Sequence, residues 1–255
     1  MRFRDKVAIV TGAGSGIGWA TCELIASEGG VVVGVDVNWE GLEVLAQQIQ
    51  EAGGTFDARV SNALIEGDVN AVVAETVTRH GRIDILVNGV GGSTVIANPA
   101  TTIDKLTLEE WHKLLDFNLT GTFLYCNAVT PMMKKQRAGK IVNLASIAGR
   151  GLSSISSGAY AAAKGGIIAL TRKLSIELGP YGINCNAIAP GITLTDRIAA
   201  VWEETPPEKQ QAILANIPLQ RLPQAEDQAR VICFLASHDA DFVSGTTIDV
   251  AGGLR

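Results

Sequence analysis

The pattern that most restricts this chain is an alternation. Short β-branched apolar runs at 6–11, 31–36, 55–60, 83–88, 139–145, 183–189 and 245–250 are separated by longer stretches of helical periodicity. Those stretches fall at about 16–28, 39–52, 67–80, 106–135, 158–178 and 225–236, with Gly53 and Gly179 placed as stop signals. Strands that are apolar throughout belong in a sheet covered on both faces, and helix-length connections favour parallel pairing with right-handed crossovers. The expectation is a single α/β domain over residues 1–255, a doubly wound parallel sheet of about seven strands with helices on both faces. With 255 residues, 28 Gly, 8 Pro and 47% hydrophobic residues, the chain can bury such a core without disulfides. Only 192–223 breaks the rhythm: Trp202, the Pro206-Pro207 pair, Pro218 and Pro223 predict helix pieces joined by turns, read as a lid over a substrate.

Charge and cysteine content narrow the function classes. A net charge of −5 gives no general attraction to nucleic acid or to anionic lipid. Cys22, Cys126, Cys185 and Cys233 lie far apart, with no C-x-x-C pair and no histidine at ligand spacing, so buried reduced thiols and no metal site are expected. The apolar stretch Val7 to Val10 is too short for a signal peptide's apolar region, and no run of about 18 apolar residues follows. A soluble cytoplasmic protein is the expectation.

Directly after the first strand comes Thr11-Gly12-Ala13-Gly14-Ser15-Gly16-Ile17-Gly18, leading into a helix. Glycines permit a tight turn and close backbone approach to a pyrophosphate, and the N–H groups and positive dipole end of the helix hold its charge. Set between strand and helix, the turn predicts a Rossmann-like dinucleotide site. Asp36 ends the second strand eighteen residues past Gly18, where an acid accepts from the adenosine ribose and repels a 2′-phosphate. Its neighbours Ser15 and Val37 are uncharged, so the cofactor is expected to be NAD rather than NADP.

Hydride chemistry on an alcohol or carbonyl needs a proton-transfer group. Tyr160 and Lys164, four residues apart at the start of a predicted helix, project from one face, and an adjacent ammonium favours the phenolate. A Tyr-x-x-x-Lys pair alone occurs on many solvated helices; position gives this one weight. The fifth strand ends at Ser146, at the carboxyl edge of the sheet where open α/β folds bind ligands, and its hydroxyl is placed to hold a substrate oxygen. Asn118 sits mid-way along a predicted helix, an unfavourable place for asparagine that invites a reason.

Together, the Thr11-to-Gly18 turn, Asp36, Asn88-Gly89-Val90-Gly91, Asn118, Ser146, Tyr160 with Lys164, Pro190-Gly191 with Thr195, and the closing Ser244-Gly245 through Gly253 resemble the short-chain dehydrogenase/reductase family over essentially the whole chain. The resemblance implies Tyr160 as general acid/base, Ser146 as the group that orients and polarises the substrate oxygen, and Lys164 as the residue that lowers the tyrosine pKa and binds the nicotinamide ribose. Asn118 would support a water that relays protons to Lys164. Gly12, Ser15, Gly16, Ile17, Gly18, Asn88, Gly89 and Val90 would line the cofactor, Pro190, Gly191, Ile192 and Thr195 its carboxamide end, and Asn62 its adenine, where the family usually has an aspartate.

Ser93, Arg150 and Ile155 join Ser146 and Tyr160 as expected substrate contacts, within 92–94, 148–155 and a lid from 192 to about 217. Arg150 and Arg197 are the cations placed to hold a carboxylate or phosphate. Two departures from the family bear on the pocket. Asn88-Gly89-Val90-Gly91 replaces the usual Asn-Asn-Ala-Gly and should loosen the backbone, and Ser146 to Tyr160 is one residue longer than is common, so 150–158 should bulge by the pocket.

The leading expectation is NAD-dependent oxidation of a secondary alcohol, with polyols, sugars, cyclic diols, hydroxy acids and steroid-like alcohols all admissible. A 3-oxoacyl thioester reductase is the alternative, and a non-catalytic NAD-binding regulator a third reading. The resemblance also implies a homotetramer built through the long helices around Asn118 and Tyr160 and the apolar tail Ile248 to Leu254.

Overall fold

A computed structural model describes residues 1–153 and 155–254; Ser154, in the stretch expected to border the pocket, and Arg255 lie outside it. Seven parallel strands form one sheet: β1 (Val7–Thr11), β2 (Val31–Asp36), β3 (Thr55–Val60), β4 (Ile85–Asn88), β5 (Gly139–Leu144), β6 (Ile183–Pro190) and β7 (Thr247–Val250). Their order is β3-β2-β1-β4-β5-β6-β7. The chain winds outward from β1 to one edge, then returns past β1 to build the other half. Helices after β1 and β4 therefore leave on opposite faces, and a crevice opens between the carboxyl ends of those two strands, where Thr11 pairs with Asn88.

The interior strands are apolar at almost every position because both faces are covered. On one face α1 (Gly16–Ser27), α2 (Trp39–Glu51) and the C-terminal helix pack Cys22, Ile25, Leu42, Leu45, Ile232 and Leu235 against Ala8, Val10 and Val32. On the other, α3 (Glu66–His80) and the long helices of the middle of the chain bring Val69, Val72, Tyr125, Val129 and Met133 onto Ile9, Val33, Leu86 and Ile141. All four cysteines are buried and unpaired in these layers, and burial pushes each thiol up. Among the described residues, no helix is long and apolar enough to cross a membrane.

Every expected strand is present, within two residues at each end. Three details differ from expectation. The helix foreseen at 106–135 is two helices, α4 (Leu108–Leu115) and α5 (Gly121–Gln136), joined by a π-helical turn at Asp116–Thr120. α4 begins at a capping box, with Thr107 Oγ1 accepting from the Glu110 N–H and Glu110 Oε2 from the Thr107 N–H. Gly53 takes the left-handed conformation expected of a stop (φ 78°), but Gly179 is right-handed and α6 (Gly158–Leu178) runs into a short 3-10 turn that ends at Gly182 (φ 72°). Finally, 192–223 holds α7 (Asp196–Glu203) and α8 (Pro207–Ala215), neither with a buried residue, before α9 (Ala225–Ala236) closes the first layer.

Candidate active site

The crevice at the carboxyl edge is a cleft of about 640 Å³. Its floor at one end is the glycine turn. Gly12 (φ 71°) and Gly16 (φ 55°) adopt left-handed backbone, and a Cβ on Gly18 would lie 2.0 Å from the Gly12 carbonyl oxygen. Ser15 caps α1 without a side-chain hydrogen bond, so its hydroxyl does not occupy the first-turn N–H groups that face the cleft. Asp36 stands beside this turn. Its Oδ2 accepts from the Gly14 N–H at 2.9 Å and its Oδ1 from the Asn38 N–H at 3.0 Å, so one carboxylate both shapes the loop and presents itself to the cleft. Asn62 lines the same end, along with Ser61, Ala63 and Leu64 from the turn after β3.

The other end holds the groups expected from the sequence to transfer protons. β5 delivers Ser146, whose Oγ accepts from the Ala148 N–H at 3.1 Å, and α6 delivers Tyr160 and Lys164. Burial raises the Tyr160 phenol above its ordinary value; the nearby Ser146 hydroxyl and the charge of Arg197 oppose that. Lys164 is buried and donates to the Leu144 carbonyl at 2.7 Å, and burial lowers it to about 7. Burial thus displaces both groups toward their neutral forms, the charge of Arg197 favours the phenolate, and Lys164 Nζ stands 5.8 Å from the Tyr160 ring centroid.

Asn118 sits in the π-helical turn, fully buried. Its side chain accepts from the Gly92 N–H at 2.9 Å and donates to the Gly92 and Leu114 carbonyls at 3.1 and 2.9 Å, so it pins the loop after β4. Gly91 threads the narrow space between it and the lysine: a Cβ there would lie 2.7 Å from Asn118 Oδ1 and 2.9 Å from Lys164 Nζ. Asn118 is thus placed as a positioning residue.

A family profile described as "Enoyl-(Acyl carrier protein) reductase" matches residues 12–255. The chain is also 37% identical over 254 residues to the 3-oxoacyl-(acyl-carrier-protein) reductase of Thermotoga maritima, covering 100% of this chain and 99% of that one. The chain belongs to the short-chain dehydrogenase/reductase family. Its structure is similar to that of levodione reductase, with a TM-score of 0.91, 36% identity and coverage of 99% and 98%. It is similar too to a 7α-hydroxysteroid dehydrogenase complexed with NADH and 7-oxo glycochenodeoxycholic acid, with a TM-score of 0.90, 32% identity and coverage of 100% and 97%. As a member of this family the protein is an oxidoreductase that uses a nicotinamide dinucleotide, and the glycine turn fits that group: Gly12 and Gly16 take the left-handed backbone a tight phosphate-binding turn needs, and Ser15 leaves the first N–H groups of α1 without a side-chain cap.

Not every residue foreseen from the sequence lines the cleft. Gly12, Ser15, Gly16, Ile17, Gly18, Gly89, Val90, Ser93, Ile155, Pro190, Gly191, Ile192 and Thr195 do. Asn88 does not; its amide donates to Asn143 Oδ1 at 2.8 Å and bolts β4 to β5 beneath the cleft. Arg150 is likewise turned away, held by Asp249 at 3.1 Å and the Thr247 carbonyl at 2.9 Å on β7. The loosened backbone expected at Gly89 is instead tightened. Its N–H donates to Thr11 Oγ1 at 3.0 Å, and a Cβ at this position would lie 2.3 Å from the Thr11 carbonyl oxygen. Of the segment expected as a lid, only 192–198 reaches the cleft. Phe117 borders it without having been foreseen, and Ser156 borders it from the lengthened loop expected beside the pocket.

Proposed function

We propose that the protein catalyses NAD-linked interconversion of a secondary alcohol and its ketone, with Tyr160 as general acid/base and a preference for NAD over NADP. The observation that carries this is that one cleft brings the Tyr160 phenol and Ser146 together with Asp36 and the glycine turn. When bound, the nicotinamide ring accepts or supplies the hydride. Ser146 holds the substrate oxygen, and Tyr160 takes the hydroxyl proton as the alcohol is oxidised or returns it as the ketone is reduced. Lys164, anchored on Leu144, holds the ribose near the phenol, and Asn118 fixes the loop that borders both.

Asp36 supports the choice of NAD, since a 2′-phosphate would meet a carboxylate held by two backbone N–H groups, with the uncharged, exposed Val37 next to it. A 3-oxoacyl thioester is the second reading, favoured by the name of the Thermotoga relative. The intact set of Asn118, Ser146, Tyr160 and Lys164 speaks against a purely regulatory NAD-binding protein. A cytoplasmic homotetramer is the proposed state; exposed Leu108, Phe123 and Ile176 on α4, α5 and α6 supply apolar surface for it. Light scattering at micromolar concentration tests the assembly, and a monomer would count against it.

Tyr160→Phe tests the mechanism. It should abolish turnover of alcohols with NAD, read by absorbance of the reduced nicotinamide, and leave NAD binding measurable by calorimetry. Unchanged turnover would overturn the assignment.

A further inference from the structure

Among the described residues, two cations line the cleft. Lys164 lies against the Leu144 carbonyl deep in the site. Arg197, on the first turn of α7, is held at the substrate end by a single side-chain bond, from Nη1 to Thr94 Oγ1 at 3.0 Å. Its Nη2 lies 3.4 Å from the point a Cβ on Gly92 would occupy, so the fork rests over bare backbone of the loop that Asn118 pins. Among the described residues no carboxylate lies within ion-pair distance of Arg197, not even its neighbour Asp196, which lines the same cleft. Arg150, the other arginine with a claim on substrate, is neutralised by Asp249.

A second observation points the same way. The Ser156 hydroxyl borders the cleft, is buried, and has no hydrogen-bond partner among the described residues. A buried donor without a partner costs free energy, which a ligand oxygen relieves. A guanidinium fork matches a carboxylate in two parallel bonds, and its charge doubles the strength of each relative to a neutral contact. Ile155, Ile192 and Ile198 add apolar wall around these polar groups.

We propose that the substrate is a hydroxy acid or its oxo counterpart, its carboxylate held by Arg197 with Ser156 as an added donor while its hydroxyl or ketone oxygen meets Tyr160 and Ser146. This rests on the oxidoreductase reading above and specifies the substrate class of that site. The arginine's bond to Thr94 and its approach to the Gly92 backbone, both on the loop after β4 that Asn118 pins, assign it to substrate rather than to the adenosine half of the cofactor.

The test is calorimetric, so that it does not depend on turnover. The protein saturated with NADH is titrated with butanoate and hexanoate, and separately with butanamide and hexanamide. Each acid should bind at least about tenfold more tightly than its amide, the range set by a charged hydrogen bond. Arg197→Met should erase that difference, Arg197→Lys should keep part of it, and NADH affinity should be unchanged in both. Equal affinity for acid and amide, binding of neither, or an acid preference that survives Arg197→Met would overturn the inference. So would a matching loss of NADH affinity, which would give the arginine to the cofactor. Turnover of neutral alcohols by a protein without acid preference would sink this inference and leave the oxidoreductase reading standing. Loss of NAD-linked turnover for acids and neutral alcohols alike would sink that reading instead.

Discussion

The side-chain amide of Asn118 satisfies both polar groups of Gly92, accepting from its N–H at 2.9 Å and donating to its carbonyl at 3.1 Å. A residue in a π-helical turn of one helix thereby fixes the loop at the end of a strand 26 positions earlier, the loop that carries Gly91 past Lys164. Asn118→Asp keeps the acceptor but sets an oxygen against the Gly92 carbonyl. It should cost about 1–3 kcal/mol in urea unfolding and lower kcat/KM by at least about tenfold. Wild-type values in both measurements would show that the clamp does not position the site.

Arg197 is exposed, yet its charge reaches the Tyr160 phenol. Removing it in Arg197→Met should move the alkaline-dependent limb of kcat/KM for alcohol oxidation to higher pH, because the phenolate loses a stabilising charge. Solvent screening limits the displacement to less than about one pH unit. A profile that stays in place, or moves to lower pH, would contradict this coupling.

Lys164 ties stability to pH. Its ammonium ordinarily deprotonates at 10.5, but in the folded protein it does so at about 7. Between those values the unfolded chain binds more protons, so raising pH through that window favours the fold, while below about 7 the penalty is constant. Cofactor-free protein should gain up to about 1 kcal/mol per pH unit from this group just above pH 7, a gain that the four buried thiols progressively offset as pH approaches their unfolded value of 9.0. Lys164→Met should flatten that slope in urea titrations, and an unchanged slope would place its origin elsewhere.

Asp36 shapes the glycine loop and is also the residue proposed to select the cofactor. The double variant Asp36→Ala, Val37→Arg should shift the ratio of catalytic efficiencies toward NADP, since a 2′-phosphate then meets a guanidinium in place of a carboxylate. Absolute efficiency should fall with both cofactors, because Gly14 loses its acceptor. A ratio that does not move would remove Asp36 from cofactor selection.

Gly89→Asn restores the residue usual in the family and should nonetheless harm this protein. The new Cβ would sit 2.3 Å from the Thr11 carbonyl oxygen, a contact with backbone that β1 and β4 must part to relieve. An expected loss of about 1–3 kcal/mol, measured by thermal unfolding, follows from overpacking. A neutral or stabilised variant would mean that the two strands separate readily.

The sheet was legible because strands covered on both faces leave an unbroken apolar record, as in Val7 to Thr11 and Ile85 to Val87. The glycine turn and Tyr160 were legible because their chemistry depends on local spacing. Long-range pairing was not: Arg150 looks free in the sequence, but Asp249 lies 99 positions away. Asn88 points beneath the sheet only because Asn143, on a neighbouring strand, faces it. The turn at Asp116–Thr120 left no trace either, since one added residue inside a helix barely disturbs the periodicity on each side of it. Nor did spacing show that Lys164 would be buried, which holds its ammonium below the usual lysine range.

The four unpaired cysteines give the molecule a silent reporter. Cys22 and Cys233 sit in one layer and Cys126 and Cys185 in the other, each sealed from solvent with its thiol held protonated. Alkylating reagents attack thiolates, so they will find nothing to modify until a layer opens. Labelling rates resolved by peptide would then time the separate opening of the two faces, turning residues without a catalytic task into clocks for local unfolding.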